Sequence, residues 1–546
     1  MTHADLVLFN GPVLTVDPAR RWATAVAVRG GRIVAVGHDE VRELVGPRTE
    51  TVDLAGRLLV PGFQDAHVHP VFAGLTMSRC DLSDAETQED SVASVAEYAD
   101  AHPEVEWILG GGWSFEAFPG GLATRQMLDA VVPDRPVYLP VRDGHSAWCN
   151  TRALEIAGLD KHSPDPADGR IEREPDGTPS GILHEGAMGL VGQYAPQPTR
   201  QDYLKGLADA QAYLHSLGIT AWQDAIVGEF GGWNDQFDVY TEAAESGLLT
   251  ARVRGALWWD REKGAEQLDF LLDRRARGSV GRFNAGSVKL MQDGIPENFT
   301  AAIGESYLDA CGCQTGNKGL SMVDPELLRE YVTLLDAHGF QVHFHAIGDR
   351  AITEVLDAVD AARQANGFND LRHHIAHVQI VGPGDIPRFR ELDVAVNMQP
   401  LWAAHEKQMD ELCIPFIGAE RSAWQYPFRA FQQAGAVLAA GSDWSVSTPD
   451  PMAGIHVAVN RRVPGSDSPV FLPEQRLDLA TAIAAYTAGS AYVNHFDETG
   501  SIEVGKLADL TVLDRNPFAG APEDIHEART ALTYVEGSRV HAADNA

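Results

Sequence analysis

Through the long middle of this chain, short apolar runs alternate with longer amphipathic stretches, and no other feature of the sequence restricts the fold as much. The apolar runs at 137–139, 288–291, 341–344 and 437–440 have the length of strands, whereas the stretches at 203–217, 325–338 and 350–364 have the length and patterning of helices. Strands that alternate with helices pair in parallel, because a parallel connection needs a crossover and a helix supplies it. That many units over residues 61–495 predict a closed (β/α)8 TIM-type barrel. The ends read differently. Residues 1–60 carry Val-, Leu- and Ile-rich segments at 5–9, 13–16, 24–29, 32–36 and 51–53, broken by the turn signals Asn10-Gly11, Gly30-Gly31 and Ala55-Gly56. The same texture returns at 508–513 and 531–536, within residues 496–546. Two β-rich ends around an α/β middle predict a small β-sandwich domain built from both termini. The stretch 160–178, rich in Pro, Asp and Gly, reads as a long loop.

A chain of 546 residues exceeds what one hydrophobic core fills, which agrees with a barrel plus an appended domain. Its 77 Asp and Glu against 43 Lys and Arg give a net charge of −34. Such a surface repels phosphate backbones and anionic lipid heads, so the expected partner is a small molecule, with neither nucleic acid nor membrane. No basic stretch followed by an apolar core opens the sequence, and no apolar run approaches the roughly 20 residues of a membrane span. The five cysteines (Cys80, Cys149, Cys311, Cys313 and Cys413) are odd in number and scattered, which argues against a disulfide framework. Cys311-Gly312-Cys313 reads as a loop. Together these features predict a cytoplasmic protein.

The sharpest motif is Asp65-Ala66-His67-Val68-His69, after the turn Pro61-Gly62-Phe63. Side chains at i and i+2 of a strand share a face, so His67 and His69 would point together and can hold a divalent metal; two structural histidines are the plainer reading of such a pair. Strand-like runs with histidine recur at 341–349 (Gln341-Val342-His343-Phe344-His345) and 372–377 (Arg372-His373-His374-Ile375-Ala376-His377). Lys289 lies inside the otherwise apolar run Val288-Lys289-Leu290-Met291. Buried, it shifts toward neutrality and could act as a nucleophile or take up CO₂ as a carbamate; at a strand edge it would merely snorkel. Asp443, in Gly441-Ser442-Asp443-Trp444, ends a small-residue strand, where it can either cap the next helix or catalyse.

In this order, the elements resemble the amidohydrolase superfamily, and more closely its family 3 branch, which includes N-substituted formamide deformylases. The resemblance runs from Leu59-Val60-Pro61-Gly62-Phe63-Gln64-Asp65-Ala66-His67-Val68-His69 through Asp143-Gly144-His145-Ser146, Gly181-Ile182-Leu183-His184-Glu185 and Met398-Gln399-Pro400 to Gly505-Lys506-Leu507-Ala508-Asp509. It implies His67 and His69 as a metal-binding pair, Lys289 as a carboxylated lysine bridging two metals, His345 and His377 as ligands of the second metal, and Asp443 as the catalytic aspartate. It also implies one or two divalent ions per chain, zinc first, and hydrolysis of an amide-type bond in a small N-acyl compound by a metal-activated hydroxide. The nearest alternatives are a cyclic amide, carbamate or urea substrate on the same scaffold, and a barrel that binds ligands without catalysis. His145, Gln399, Trp113 and Trp402 are the expected substrate contacts. His343, His373 and His374 fall outside the family pattern and are expected either to support the site or to be structural. A homodimer is compatible with the resemblance.

Overall fold

A computed structural model describes residues 3–142, 144, 146–166, 169–230 and 234–544. The chain divides into two compact units, one of residues 1–68, 211–228 and 240–546, the other of residues 69–210 and 229–239.

The first unit centres on eight parallel strands: β1 (Phe63–Val68), β2 (Ile219–Val227), β3 (Arg252–Trp258), β4 (Phe283–Met291), β5 (Gln341–Ala346), β6 (His374–His377), β7 (Ala395–Met398) and β8 (Leu438–Ala440). Each pairs with the next in chain order. A two-residue strand, Ser279–Val280, adds antiparallel to β4. Every residue of β1, β2, β5, β6 and β7 is buried, as expected of parallel strands covered on both faces. The crossover helix before β5 starts where the sequence signals a start. Asp324 caps Pro325–Ala337 by accepting from the Glu326 and Leu327 N–H groups, with Pro325 at the first helical position.

The ring of strands comes nearly to closure between β8 and β1. There the Asp443 N–H donates to the His67 carbonyl at 2.8 Å, the Ser442 N–H donates to Asp65 Oδ1 at 3.1 Å, and Asn397 Nδ2 donates to the Ala66 carbonyl at 2.8 Å. The arrangement is that of a TIM-type barrel.

Strands from both termini do join, as one continuous eight-stranded sheet in the order Ser538–Ala542, Thr530–Val535, Leu510–Leu513, Leu59–Pro61, Leu6–Leu14, Trp22–Arg29, Arg32–Gly37, with Glu50–Asp53 beside Leu6–Leu14. The pairing does not itself divide this sheet into the two layers of a sandwich. Leu8, Val26, Leu59, Leu510, Val512 and Tyr534 meet in one core, so residues of both termini bury one apolar face together. Asp509 ties this sheet to the barrel: it pairs with Arg252 at the start of β3 and accepts the Glu536 N–H at 2.8 Å.

The second unit has its own six-stranded sheet, in the order Gly169–Arg173, Pro179–Glu185, Ser146–Cys149, Val137–Pro140, Ile108–Gly111, Cys80–Asp81. The apolar run at 137–139 therefore belongs to this sheet and not to the barrel. The stretch 160–178 is not a single loop, because Gly169–Arg173 pairs antiparallel with Pro179–Glu185. Among the described residues, no helix is long and apolar enough to cross a membrane.

Candidate metal centre

The C-terminal ends of the barrel strands carry the polar residues picked out in the sequence. His67 is the penultimate residue of β1 and is 1% exposed. Its Nε2 lies 3.2 Å from Asp443 Oδ1, and its Nδ1 lies 2.8 Å from His343 Nε2. His69 follows the strand and stands at the N-cap of the helix Pro70–Met77. His67, His69 and Asp443 each offer one ligand atom, all within 4.8 Å of one another. Gly441 makes this approach possible, since a Cβ there would lie 2.6 Å from the His67 nitrogen.

Lys289, His345 and His377 come from three adjacent strands. Lys289 on β4 stands opposite His343 on β5, and Met291 stands opposite His345. Lys289 is buried, which pushes its ammonium down to about 7 against the opposing charge of Asp443. His345 Nδ1 faces Asp293 Oδ1 at 3.3 Å. The His377 ring packs edge-on against His345 and His67, with centroids 4.5 and 4.9 Å apart, so imidazoles from β1, β5 and β6 converge. Burial holds His343, His374 and His377 well below the ordinary imidazole range, so they are neutral, the form that ligates metals.

Two of the convergent residues have left-handed backbones, His377 with φ 79° and Asp443 with φ 57°. Such conformations cost about 1–3 kcal/mol each and persist where the surroundings enforce them. They turn both side chains away from the strand alternation. Asp443 does not cap the helix that follows; Asp450 does, by accepting the Met452 N–H at 2.8 Å.

The four expected substrate contacts have different surroundings. Trp402 is half-buried and stacks on His377, with centroids 5.4 Å apart and planes 9° from parallel. Gln399 is 1% exposed; its Oε1 accepts the His377 N–H at 2.7 Å and its Nε2 donates to Asn397 at 3.2 Å. Trp113 sits in the core of the second unit with no exposed surface, its indole N–H donating to the Leu139 carbonyl at 2.7 Å. His145 lies outside the described residues.

Three further residues, not singled out in the sequence, hold the site together. Asp65 accepts the His67 N–H at 2.9 Å along with the Ser442 N–H, and burial pushes its carboxyl up to about 7, with Asp443 adding to the effect. Asp293 accepts the Ile347, Gly348 and Ala302 N–H groups and so fixes the turn after β5 beside His345. Asn397 bridges His374 Nδ1 and the Ala66 carbonyl. Asp65 opens the motif quoted from the sequence and Asp293 lies two residues beyond the run that holds Lys289; a carboxylate at an apolar strand end is the signal the sequence offers.

The model of the amidohydrolase family matches residues 50–541. Protein LONG AFTER FAR-RED 3 of Arabidopsis thaliana is 32% identical over 98% of this chain and 92% of its own length. N-substituted formamide deformylase of Arthrobacter pascens is 28% identical over 98% of this chain and 97% of its own. An uncharacterized metal-dependent hydrolase from Pyrococcus furiosus superposes with a TM-score of 0.72 at 26% identity, covering 94% of this chain and 99% of that one. With the histidine, lysine and aspartate constellation at the strand ends of a parallel barrel, the chain belongs to the amidohydrolase family and is a hydrolase of carbon–nitrogen bonds other than peptide bonds.

Proposed function

We propose that this chain hydrolyses an N-substituted formamide or a similar small N-acyl compound, with Asp443 moving the proton. The observation that carries the reading is the approach of the His67, His69 and Asp443 donor atoms to within 4.8 Å, beside the converging rings of His345 and His377. A divalent cation fits these residues: His377 Nδ1 is buried with no hydrogen-bond partner among the described residues, and imidazole with carboxylate is a donor set suited to zinc. We assign one or two ions, zinc first, to His67, His69, Lys289, His345 and His377. In this reading the neutral Lys289 amine adds to CO₂ and loses a proton to solvent, and the resulting carbamate joins the donor set. Such a cation, when bound, polarises the scissile carbonyl and acidifies a nearby water. Asp443 accepts the proton that the attacking water loses and passes it to the departing nitrogen, so that water is divided between the acyl group and the amine. Trp402, stacked on His377, offers an aromatic face to an apolar N-substituent. The full-length likeness to a formamide deformylase supports the choice of substrate.

The test is elemental analysis of the purified protein together with a screen for amine release from formamides, acetamides, hydantoins and carbamates. About one to two equivalents of divalent metal and release from formamides are expected. Full activity in chelator-washed protein would overturn the metal reading, and release confined to hydantoins or carbamates would overturn the substrate. Lys289→Ala should lose metal and activity together, with partial recovery of both in a short carboxylic acid.

A further inference from the structure

We propose that the N-terminal end of the barrel holds a second binding site, built from Arg254 and Arg275, that takes a small phosphate-type oxyanion. Both guanidiniums line one cavity of about 420 Å³, together with Asn284, Ser279, Gly286 and Gly339. These residues lie before β4 and β5 or in the N-terminal halves of β3 and β4, whereas His67, Lys289, His345 and Asp443 lie toward or beyond the strand ends.

Each guanidinium is fixed in place. Arg254 donates from Nε to Ser287 Oγ at 2.8 Å and from Nη1 to Asn284 Oδ1 at 2.9 Å. Arg275 donates from Nη1 to the His338 carbonyl at 2.7 Å and lies over the Phe340 ring at 4.2 Å. Gly286 leaves the space that Arg254 occupies: a Cβ there would come within 2.7 Å of the guanidinium carbon. Among the described residues, no carboxylate pairs with either arginine. By contrast Arg252, two residues earlier on the same strand, pairs with both Asp509 and Glu536.

Neighbouring cations without a counter-ion oppose each other's charge. Burial, and then the charges of Arg372 and Arg275, push Arg254 down to about 9. An anion between the two guanidiniums would remove that penalty, and planar N–H forks match the oxygens of a phosphate. Arg275 lies in the last turn of its helix, where the C-terminal carbonyls also favour a cation, but that does not explain Arg254 on its strand.

The test is calorimetric titration of the full-length protein with inorganic phosphate and, in a separate arm, methyl phosphate, both at fixed ionic strength. One saturable site is expected in at least one arm, and the tighter arm identifies free phosphate or a monoester as the ligand. Arg254→Gln and Arg275→Gln should each weaken it at least about tenfold, as expected for loss of a charge-assisted hydrogen bond. Arg275→Gln leaves the Ser287 and Asn284 bonds intact and decides the matter if Arg254→Gln fails to fold. The absence of saturable binding at millimolar concentrations in both arms would overturn the proposal. So would undiminished binding by Arg275→Gln, which would put the anion elsewhere, including the metal centre.

Discussion

His67 is engaged at both ring nitrogens, Nε2 toward Asp443 and Nδ1 against His343. A neutral imidazole that offers the Nε2 lone pair to a cation must carry its proton on Nδ1, so His343 Nε2 has to accept it. In that role His343 would be a positioning residue, one of the two readings, support of the site or of the structure, that the sequence leaves open for it. His343→Leu removes the acceptor and should weaken zinc binding to the metal-free protein by about 10–100-fold. Unchanged zinc affinity, measured by competition with a chromophoric chelator, would show that His343 only packs. Asp443→Asn keeps the shape of the side chain but cannot take a proton. It should retain most of the metal while kcat falls by about 10²–10⁴-fold. Normal kcat with a lowered Tm would sink the catalytic assignment; with Asp450 serving as the helix cap, little change in Tm is expected. The residues legible in the sequence, His67, His69, Lys289, His345, His377 and Asp443, stood out because imidazole, amine and carboxylate are rare in apolar strands. The roles of Asp65 and Asp293 were not legible. Each accepts backbone N–H groups from a turn whose path depends on the completed fold. Trp113 and Trp402 look alike in sequence, and only packing separates a core ring from one stacked on His377.

At the scale of elements, one polar cluster anchors two helices and the approach to β6. Asp336, in the helix Pro325–Ala337, pairs with Arg363 of the helix Asp349–Asn366 at 3.2 Å and accepts from His373 Nε2 at 2.9 Å. His373 Nδ1 in turn accepts the Val342 N–H of β5 at 3.0 Å. Burial pushes the Asp336 carboxyl up, but bonds from His373, Asn369 and Asn366 outweigh it and leave the group below the ordinary carboxylate range. A depressed pKa stabilises the fold above the unfolded value, and this contribution is lost as pH falls through the folded one. Asp336→Ala strands Arg363 and His373 in the interior and should cost about 3–5 kcal/mol in urea unfolding at neutral pH. The difference from the parent should shrink on acidification below the carboxylate range; a loss under about 1 kcal/mol at neutral pH would contradict the role given to the cluster. Element types were largely legible, because burial on both faces and helical amphipathicity are local patterns. Partners were not. The run at 137–139 looks like β5 in sequence, yet it pairs antiparallel with Ser146–Cys149, since strand direction and register depend on what the chain does between the runs.

Over the whole molecule, acidic residues outnumber basic ones by 77 to 43, and two opposing effects decide how the fold responds to salt. Many of the basic side chains are held in ion pairs, and exposed pairs such as Arg152–Glu155 and Lys205–Asp209 are worth only about 0–1 kcal/mol each. Salt weakens these pairs. It also screens the repulsion among the unpaired carboxylates, which acts over longer distances and is therefore screened first. The Debye length falls from about 30 Å at 0.01 M to about 10 Å at 0.1 M, a change felt by charges spread across a barrel but hardly by partners in contact. Buried pairs such as Asp509–Arg252 are screened least. The repulsive term should prevail, so the Tm of the metal-loaded protein should rise as sodium chloride increases across that range. A steady fall would mean that the local pairs dominate and that the excess carboxylates are too dispersed to matter. Sodium phosphate at matched ionic strength separates screening from binding: an additional, saturable rise that disappears in Arg275→Gln belongs to the arginine cavity, whereas one that follows ionic strength alone belongs to the net charge.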